Sequence, residues 1–476
     1  MSSSQNSPVL VWFRRDLRLA DNPALVAAVG SGRPIIGVFI QDQSVSSLGA
    51  APKLRLEHAL EVFARSWQAA TGAALVLRSG AAQEVLTDII RTTGAGGVFW
   101  NRLYTPDEIE RDTAIKSTLK EQGLVAESFA GQLLIEPHSV ATKTGTPFQV
   151  YTPFWRAVKD RDLRASYPAP SSIDGWRGDV ATQELSEWRL GAAMQRGASI
   201  VAQRINAGEA AALAALDRFL EKIEHYTTAR DIPSVAGTSG LSDYLAWGEI
   251  SPFQIWNAVN AVCQPLSISS ETFLKEIVWR EFAYHLCFHG PHILSKNWKR
   301  KWDSFPWSMA DDTAEVTAWK YGRTGIPFVD AAMREMYVTG KMHNRARMIA
   351  GSYLTKHLMT HWSVGQKWFE ECLTDWDPAS NAMGWQWVAG SGPDASPFFR
   401  IFNPLTQADK FDPKGIYLSH WIAEKSSDPS QDALDFFTAL PKALNFCAND
   451  AYQTPIVDHQ QGRQRALEAY EQRSKD

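Results

Sequence analysis

The sequence predicts an α/β domain built on a doubly wound parallel sheet, followed by an all-α domain. Three observations carry that reading. Short, almost wholly apolar runs alternate with amphipathic stretches over residues 1–131. Strand signals vanish after about residue 206, where helical periodicity takes over. The 476 residues are enough for more than one core of ordinary size.

Val9–Phe13, Pro34–Ile40, Ala74–Leu77 and Gly97–Trp100 are too short for helices and lack alternation, as strands covered on both faces do. Val125–Phe129 is a fifth strand. Between them, Asp21 or Asn22 caps a helix with Pro23 in its first turn. Lys53–Thr71 and Ala81–Thr93 are amphipathic, and Thr105-Pro106-Asp107-Glu108 opens a helix with a capping box. Repeated βα units of this kind make a parallel sheet. No G-x-G-x-x-G follows the first strand, where Val11-Trp12-Phe13-Arg14-Arg15-Asp16 stands instead, so the fold implies no function by itself. Residues 132–205 are irregular, with Pro, Gly and Ser scattered through Tyr167–Gly178, and read as a linker running over the surface. Residues 206–476 form the helical domain, its clearest helices being Ala207–His225, Thr272–Phe288, Ile326–Thr339 and His343–His357. The polar tail beyond about Ala466 is expected to fray.

Composition narrows the function. A net charge of −4 excludes a polycation, so any nucleic-acid contact needs a local basic patch. No apolar run is long enough to span a bilayer and no signal peptide precedes the first strand, which makes a cytosolic protein the expectation. Cys263, Cys287, Cys372 and Cys447 form no CxxC pair and are expected to be buried free thiols, with no metal site. The 19 Trp outnumber the 12 Tyr. Core packing is the default for each, yet so many raise the question of whether some stack on a ligand or carry electrons.

Several clusters bear chemistry. Tyr226 and Thr238-Ser239-Gly240-Leu241-Ser242 put hydroxyls and backbone N–H groups in a Gly-containing turn before a helix, which suits a pyrophosphate and equally suits a plain helix cap. Glu276, Trp279 and Arg280 share one helical face, setting a carboxylate beside an indole. In Met342-His343-Asn344-Arg345-Ala346-Arg347-Met348, Asn344 and Met348 share a face, and Arg347 can pair with Asp375. Lys296, Lys299, Arg300 and Lys301 are interleaved with Trp298 and Trp302, as a nucleic-acid groove requires, although charge runs are usually only solvated faces.

The stretch Asp375-Trp376-Asp377-Pro378-Ala379-Ser380-Asn381-Ala382-Met383-Gly384-Trp385-Gln386-Trp387 leads to Pro397-Phe398-Phe399-Arg400-Ile401-Phe402-Asn403-Pro404. Together with Trp12-Phe13-Arg14-Arg15-Asp16-Leu17-Arg18, it resembles the photolyase/cryptochrome family over nearly the whole chain. The resemblance implies an N-terminal antenna-type domain and a C-terminal helical domain holding a U-shaped FAD. By the same resemblance Tyr226, Thr238, Ser239, Gly240, Leu241 and Ser242 hold the FAD phosphates. Arg280, Asn344, Arg347, Asp375, Asp377 and Asn381 lie by the flavin, with Asn381 facing N5. Glu276, Asn344, Met348, Trp279 and Trp387 are expected to hold a flipped-out pyrimidine dimer. Trp385, Trp362 and Trp307 match the electron-hopping chain. Arg230, Arg345, Arg400 and Lys410, with Trp279 and Trp387, match DNA-contact positions. Glu108 matches a carboxylate that binds a methenyltetrahydrofolate antenna.

Asn at position 381, Trp at 387 and the absence of His at 344 and 348 favour cyclobutane-dimer repair over the cryptochrome, DASH and (6-4) branches. The resemblance thus implies a monomeric deoxyribodipyrimidine photolyase acting on damaged DNA. The alternative is a cryptochrome-type photoreceptor, against which the short C-terminal tail speaks.

Overall fold

In the computed structural model, residues 7–394, 398 and 400–473 are described. Pro397 and Phe399 of the second motif lie outside them. Five parallel strands, β1 (Val9–Phe13), β2 (Ile35–Gln41), β3 (Val76–Ser79), β4 (Gly97–Asn101) and β5 (Val125–Phe129), run in the order β3-β2-β1-β4-β5. Alternate residues of β1 serve two cores. Val9, Val11 and Phe13 pack with Leu25, Leu56, Leu60 and Trp67. Leu10 and Trp12 pack with Leu86, Ile89, Ile115 and Leu119 on the opposite face. This double covering is why the strands read as continuous apolar runs. Asn22 is the cap chosen, accepting from Leu25 N, with Pro23 at the first helical position. Thr105 and Glu108 form the expected capping box on helix Pro106–Glu121.

The motif after β1 joins the two halves of the molecule. Arg14 pairs with Asp112 at 2.7 Å. Asp16 accepts from Arg14 N and from Asn101 Nδ2. Arg18, fully buried, donates to the carbonyls of Gly131 and Gly248. Arg55 and Glu249 form a second bridge between the halves, with both side chains out of solvent. Such buried guanidiniums satisfy carbonyls that no sheet or helix uses.

The remaining chain is helical. Helix Ile268–His289 is its spine, and residues from Leu133 to Val158 pack against it. This corrects the surface-linker expectation for part of 132–205. Tyr151–Val158 is a helix whose Tyr151, Phe154, Trp155 and Val158 are buried. The expected helix His343–His357 is an α-helix over Asn344–Ser352 continued by a wider π turn, Tyr353–His357. Where fraying is expected beyond Ala466, helix His459–Arg473 continues to Arg473: it buries Ala466, and Tyr470 stacks on Phe398 at 5.3 Å. All four cysteines are free, but Cys447 is exposed, contrary to expectation. Among the described residues, no helix is long and apolar enough to cross a membrane, and no group of three or more His, Cys, Asp or Glu is placed to hold a metal ion.

Candidate flavin and DNA site

A cavity of about 600 Å³ opens in the helical half. Its floor and walls come from five segments, the last two contiguous: the turn at 226–245, the spine helix, helix Asn344–Ser352, the 369–377 corner and helix Pro378–Ala389. Each segment brings one chemical element.

The turn supplies Tyr226, Thr238, Ser239 and Ser242 to the wall. Gly240 adopts φ +66°, the left-handed conformation that lets the chain reverse before helix Ser242–Trp247. Leu241 also lines the cavity, and its buried side chain packs into the core beneath the turn.

The spine helix brings Glu276, Trp279 and Arg280 together, as their spacing predicts. Trp279 is stacked on Tyr151 with ring centroids 3.6 Å apart and planes within 7°. Tyr151 Oη donates to the Lys275 carbonyl at 2.7 Å, which fixes the pair. Tyr151 was missed in the sequence. Its signal was the helical spacing of Tyr151, Phe154, Trp155 and Val158 inside a stretch taken for linker. Arg280 donates to the Gln132 carbonyl at 3.0 Å, and Tyr284 Oη donates to Asp377 Oδ2 at 2.6 Å. Asp377 Oδ1 also accepts from Ser380 N at 2.8 Å, so this carboxylate caps helix Pro378–Ala389 while lining the cavity.

Arg347 and Asp375 pair at 2.7 Å, as the sequence suggests. Arg347 Nε also donates to the Met342 carbonyl, which holds the guanidinium at the wall. Asp375 Oδ1 is buried and has no protein partner, an expensive condition unless a ligand donor completes it. Asn381 Nδ2 donates to the Gln366 carbonyl at 3.1 Å, which orients the amide and leaves its oxygen free to accept. Asn344, Arg345, Met348, Trp385 and Trp387 also line the cavity.

The expected hopping residues are less simply arranged. Trp385 packs edge-on against Phe369 at 4.8 Å and Trp319 at 6.0 Å. Trp362 and Trp307 both pack on His361, at 5.0 and 5.5 Å. All three indoles are buried, so Trp307 is not at the surface. Trp302 belongs to the core as well, which removes it from the basic face expected around Lys296–Lys301.

Around the cavity mouth, Arg230 donates to Glu276 and Arg345 to Asp231, each at 2.7 Å. Arg345 and Lys410 both lie over Phe411, at 4.6 and 5.1 Å. Arg400 is exposed. Glu108 lies apart, at a crevice of about 30 Å³ beside the carboxyl ends of β1, β2 and β4. Its Oε2 accepts from Thr105 N and Oγ1, so the carboxylate is engaged in capping. Arg111 and Asp42 pair at 2.8 Å near the same crevice. With that bridge closed, the crevice is too small for a pterin ring.

Family models describe both halves: "DNA photolyase" matches residues 9–171, and "FAD binding domain of DNA photolyase" matches residues 273–472. The chain belongs to the DNA photolyase family. This family member is 45% identical over 474 residues to a deoxyribodipyrimidine photo-lyase of Agrobacterium fabrum, covering 98% of each chain. The crystal structure of a bacterial class III photolyase from Agrobacterium tumefaciens superposes with a TM-score of 0.91 at 44% identity, covering 100% of this chain and 99% of that one. A Synechocystis cryptochrome superposes at 0.83 with 27% identity, covering 98% of this chain and 99% of that one. The cavity suits the FAD that the family domain binds. It has a hydroxyl-rich turn for phosphates, a buried carboxylate oxygen awaiting a donor and an oriented carboxamide.

Proposed function

We propose that this chain is a deoxyribodipyrimidine photolyase that uses light to split cyclobutane pyrimidine dimers in DNA. One observation carries the reading. The residues expected to hold the flavin and those expected to hold the dimer line the same cavity, with Glu276, Trp279, Asn344, Met348 and Trp387 beside Asn381, Arg347 and Asp375. Reduced FAD, excited by near-UV or blue light, supplies the electron that the reaction borrows and returns.

The chain's own residues do the rest. Trp279 and Trp387 offer partly exposed indoles on which an extruded base stacks, an interaction indifferent to sequence and suited to damage. Glu276 and Asn344 offer a carboxylate and a carboxamide to the polar base edges. Arg347, held between the Met342 carbonyl and Asp375, presents positive charge to the cavity, where it would favour an anionic reduced form of a bound flavin. Asn381 donates its N–H to the Gln366 carbonyl, and its remaining amide oxygen can accept a hydrogen bond without supplying a proton. Extrusion costs less for a dimer than for paired bases, which contributes selectivity. Arg230, Arg345, Arg400 and Lys410 supply phosphate contacts, so the basic patch is local in a chain of net charge −4.

A folate antenna at Glu108 remains part of the proposal. It requires the Arg111–Asp42 bridge to open and Glu108 to exchange its capping bonds for the ligand. The deciding experiment assays dimer removal from DNA with and without light. Repair in light alone supports the photolyase reading, whereas light absorption without repair replaces it with the cryptochrome reading.

A further inference from the structure

Two arginines assigned to DNA phosphates are held by carboxylates of the protein, and the two carboxylates differ in position. Arg230 donates to Glu276 Oε1 at 2.7 Å, and Glu276 lines the cavity. Arg345 donates to Asp231 Oδ1 at 2.7 Å, the same oxygen lies 3.9 Å from Arg230 Nε without a hydrogen bond, and Asp231 stands outside the cavity wall. All four side chains are partly open to solvent, between 19% and 37%, so either pair can exchange its carboxylate for a phosphate. Each guanidinium also lies over an aromatic ring, Arg230 over Tyr226 at 5.1 Å and Arg345 over Phe411 at 4.6 Å. Those rings keep both cations at the mouth when the carboxylate lets go.

We propose that the Arg230–Glu276 pair is a damage-gated phosphate clamp, an inference that rests on the repair reading. A base entering the cavity draws the Glu276 carboxylate toward its own N–H groups. The hold on Arg230 weakens, and the freed guanidinium takes a DNA phosphate. An undamaged duplex places no base in the cavity, so Arg230 stays on Glu276 and adds little. Asp231 does not line the cavity, so freeing Arg345 from it costs the same with either DNA. Phosphate contacts ordinarily carry no information about the bases. Arg230 is an exception because its internal partner sits where the damaged base goes.

The test measures dark binding of the FAD-loaded protein to one duplex, with and without a single thymine dimer, over a salt series. Arg230→Ala should weaken binding to dimer DNA roughly tenfold and flatten its slope of log affinity against log salt by about 0.9, the value of one phosphate contact. Its slope with undamaged DNA should not change. Glu276→Gln keeps a hydrogen-bonding side chain but releases Arg230, so undamaged DNA should bind more tightly, with a slope steeper by about 0.9. Asp231→Asn frees Arg345 and removes the charge 3.9 Å from Arg230 while leaving Arg230 on Glu276, so it should tighten both DNAs by the same factor and provides the reference within the same network. Equal loss of slope on both DNAs in Arg230→Ala overturns the clamp, as does an unchanged undamaged slope in Glu276→Gln. A wild-type protein with no preference for dimer DNA overturns the repair reading itself, and that result is distinct from either.

Discussion

Trp279→Ala removes an indole whose surroundings set the size of the effect. Tyr151 covers one face at 3.6 Å, which leaves the rest of the ring to line the cavity. One base can therefore stack there, worth roughly 1–3 kcal/mol. Affinity for dimer DNA should fall about 5- to 150-fold, while undamaged DNA is held nearly as before. The same truncation strips Tyr151 of its partner, so stability should also fall by about 0.5–1.5 kcal/mol. Tyr151→Leu separates the two losses, because Tyr151 does not line the cavity. It should lower stability yet leave the ratio of the two affinities within about threefold. The assay is equilibrium binding in the dark to matched damaged and undamaged duplexes, with FAD content and urea denaturation measured on each variant. A folded, FAD-loaded Trp279→Ala protein with an unchanged ratio would refute the stacking argument and the repair reading with it.

Trp387→Ala should behave like Trp279→Ala, whereas Arg400→Ala should weaken both DNAs alike and flatten both salt slopes, since Arg400 is exposed and has no link to the cavity. Trp385→Phe should block light-driven reduction of oxidised FAD while sparing repair by pre-reduced protein; absorbance during illumination reports the first. Trp319→Phe and Trp362→Phe then show which indole continues the route, since Trp385 packs on Trp319. Glu108→Ala should abolish any near-UV band beyond that of FAD and preserve dark DNA binding; a wild-type spectrum explained by FAD alone removes the folate proposal. Burial pushes the Glu281 carboxyl up to about 8 from an unfolded value of about 4.5, so its contribution to stability is present below pH 4.5 and is lost as pH rises through 8. Glu281→Gln should flatten that alkaline decline in denaturation midpoints measured from pH 6 to 9. Burial pulls His285 and His343 down to about 4, so their contribution is lost as pH falls from 6.5 through 4. Acid unfolding in that window should be steeper than carboxylate titration alone gives.

Much of this was legible in the chain because it is local. β5 runs over the expected Val125–Phe129, and the Thr105/Glu108 capping box holds. Both features depend on neighbours within a few residues, and a strand buried on two faces announces itself by composition. The spacing that set Glu276, Trp279 and Arg280 on one face needed only the helical repeat. The pairing of Arg347 with Asp375 was anticipated from chemistry alone. The family motifs assigned the cofactor, because several separated segments occurring in order are specific where any one is weak.

What the tertiary structure decided is which partner each group meets. Tyr151 lies 128 residues before Trp279 in a stretch with no long periodic pattern, and only the packed spine helix brings their rings together. Trp302 bears the same residue type as the indoles of the cavity do, yet it is buried in a core. Glu108 was read once as a cap and once as a ligand, and the fold shows it engaged as a cap. Arg230 and Arg345 look alike as charges and both line the cavity, but the carboxylate that accepts from Arg230 lines it too, whereas the one that accepts from Arg345 does not. Sequence determines residue type and local spacing. The direction in which a long side chain points, and what it must release before binding, is set by which segments the fold packs together.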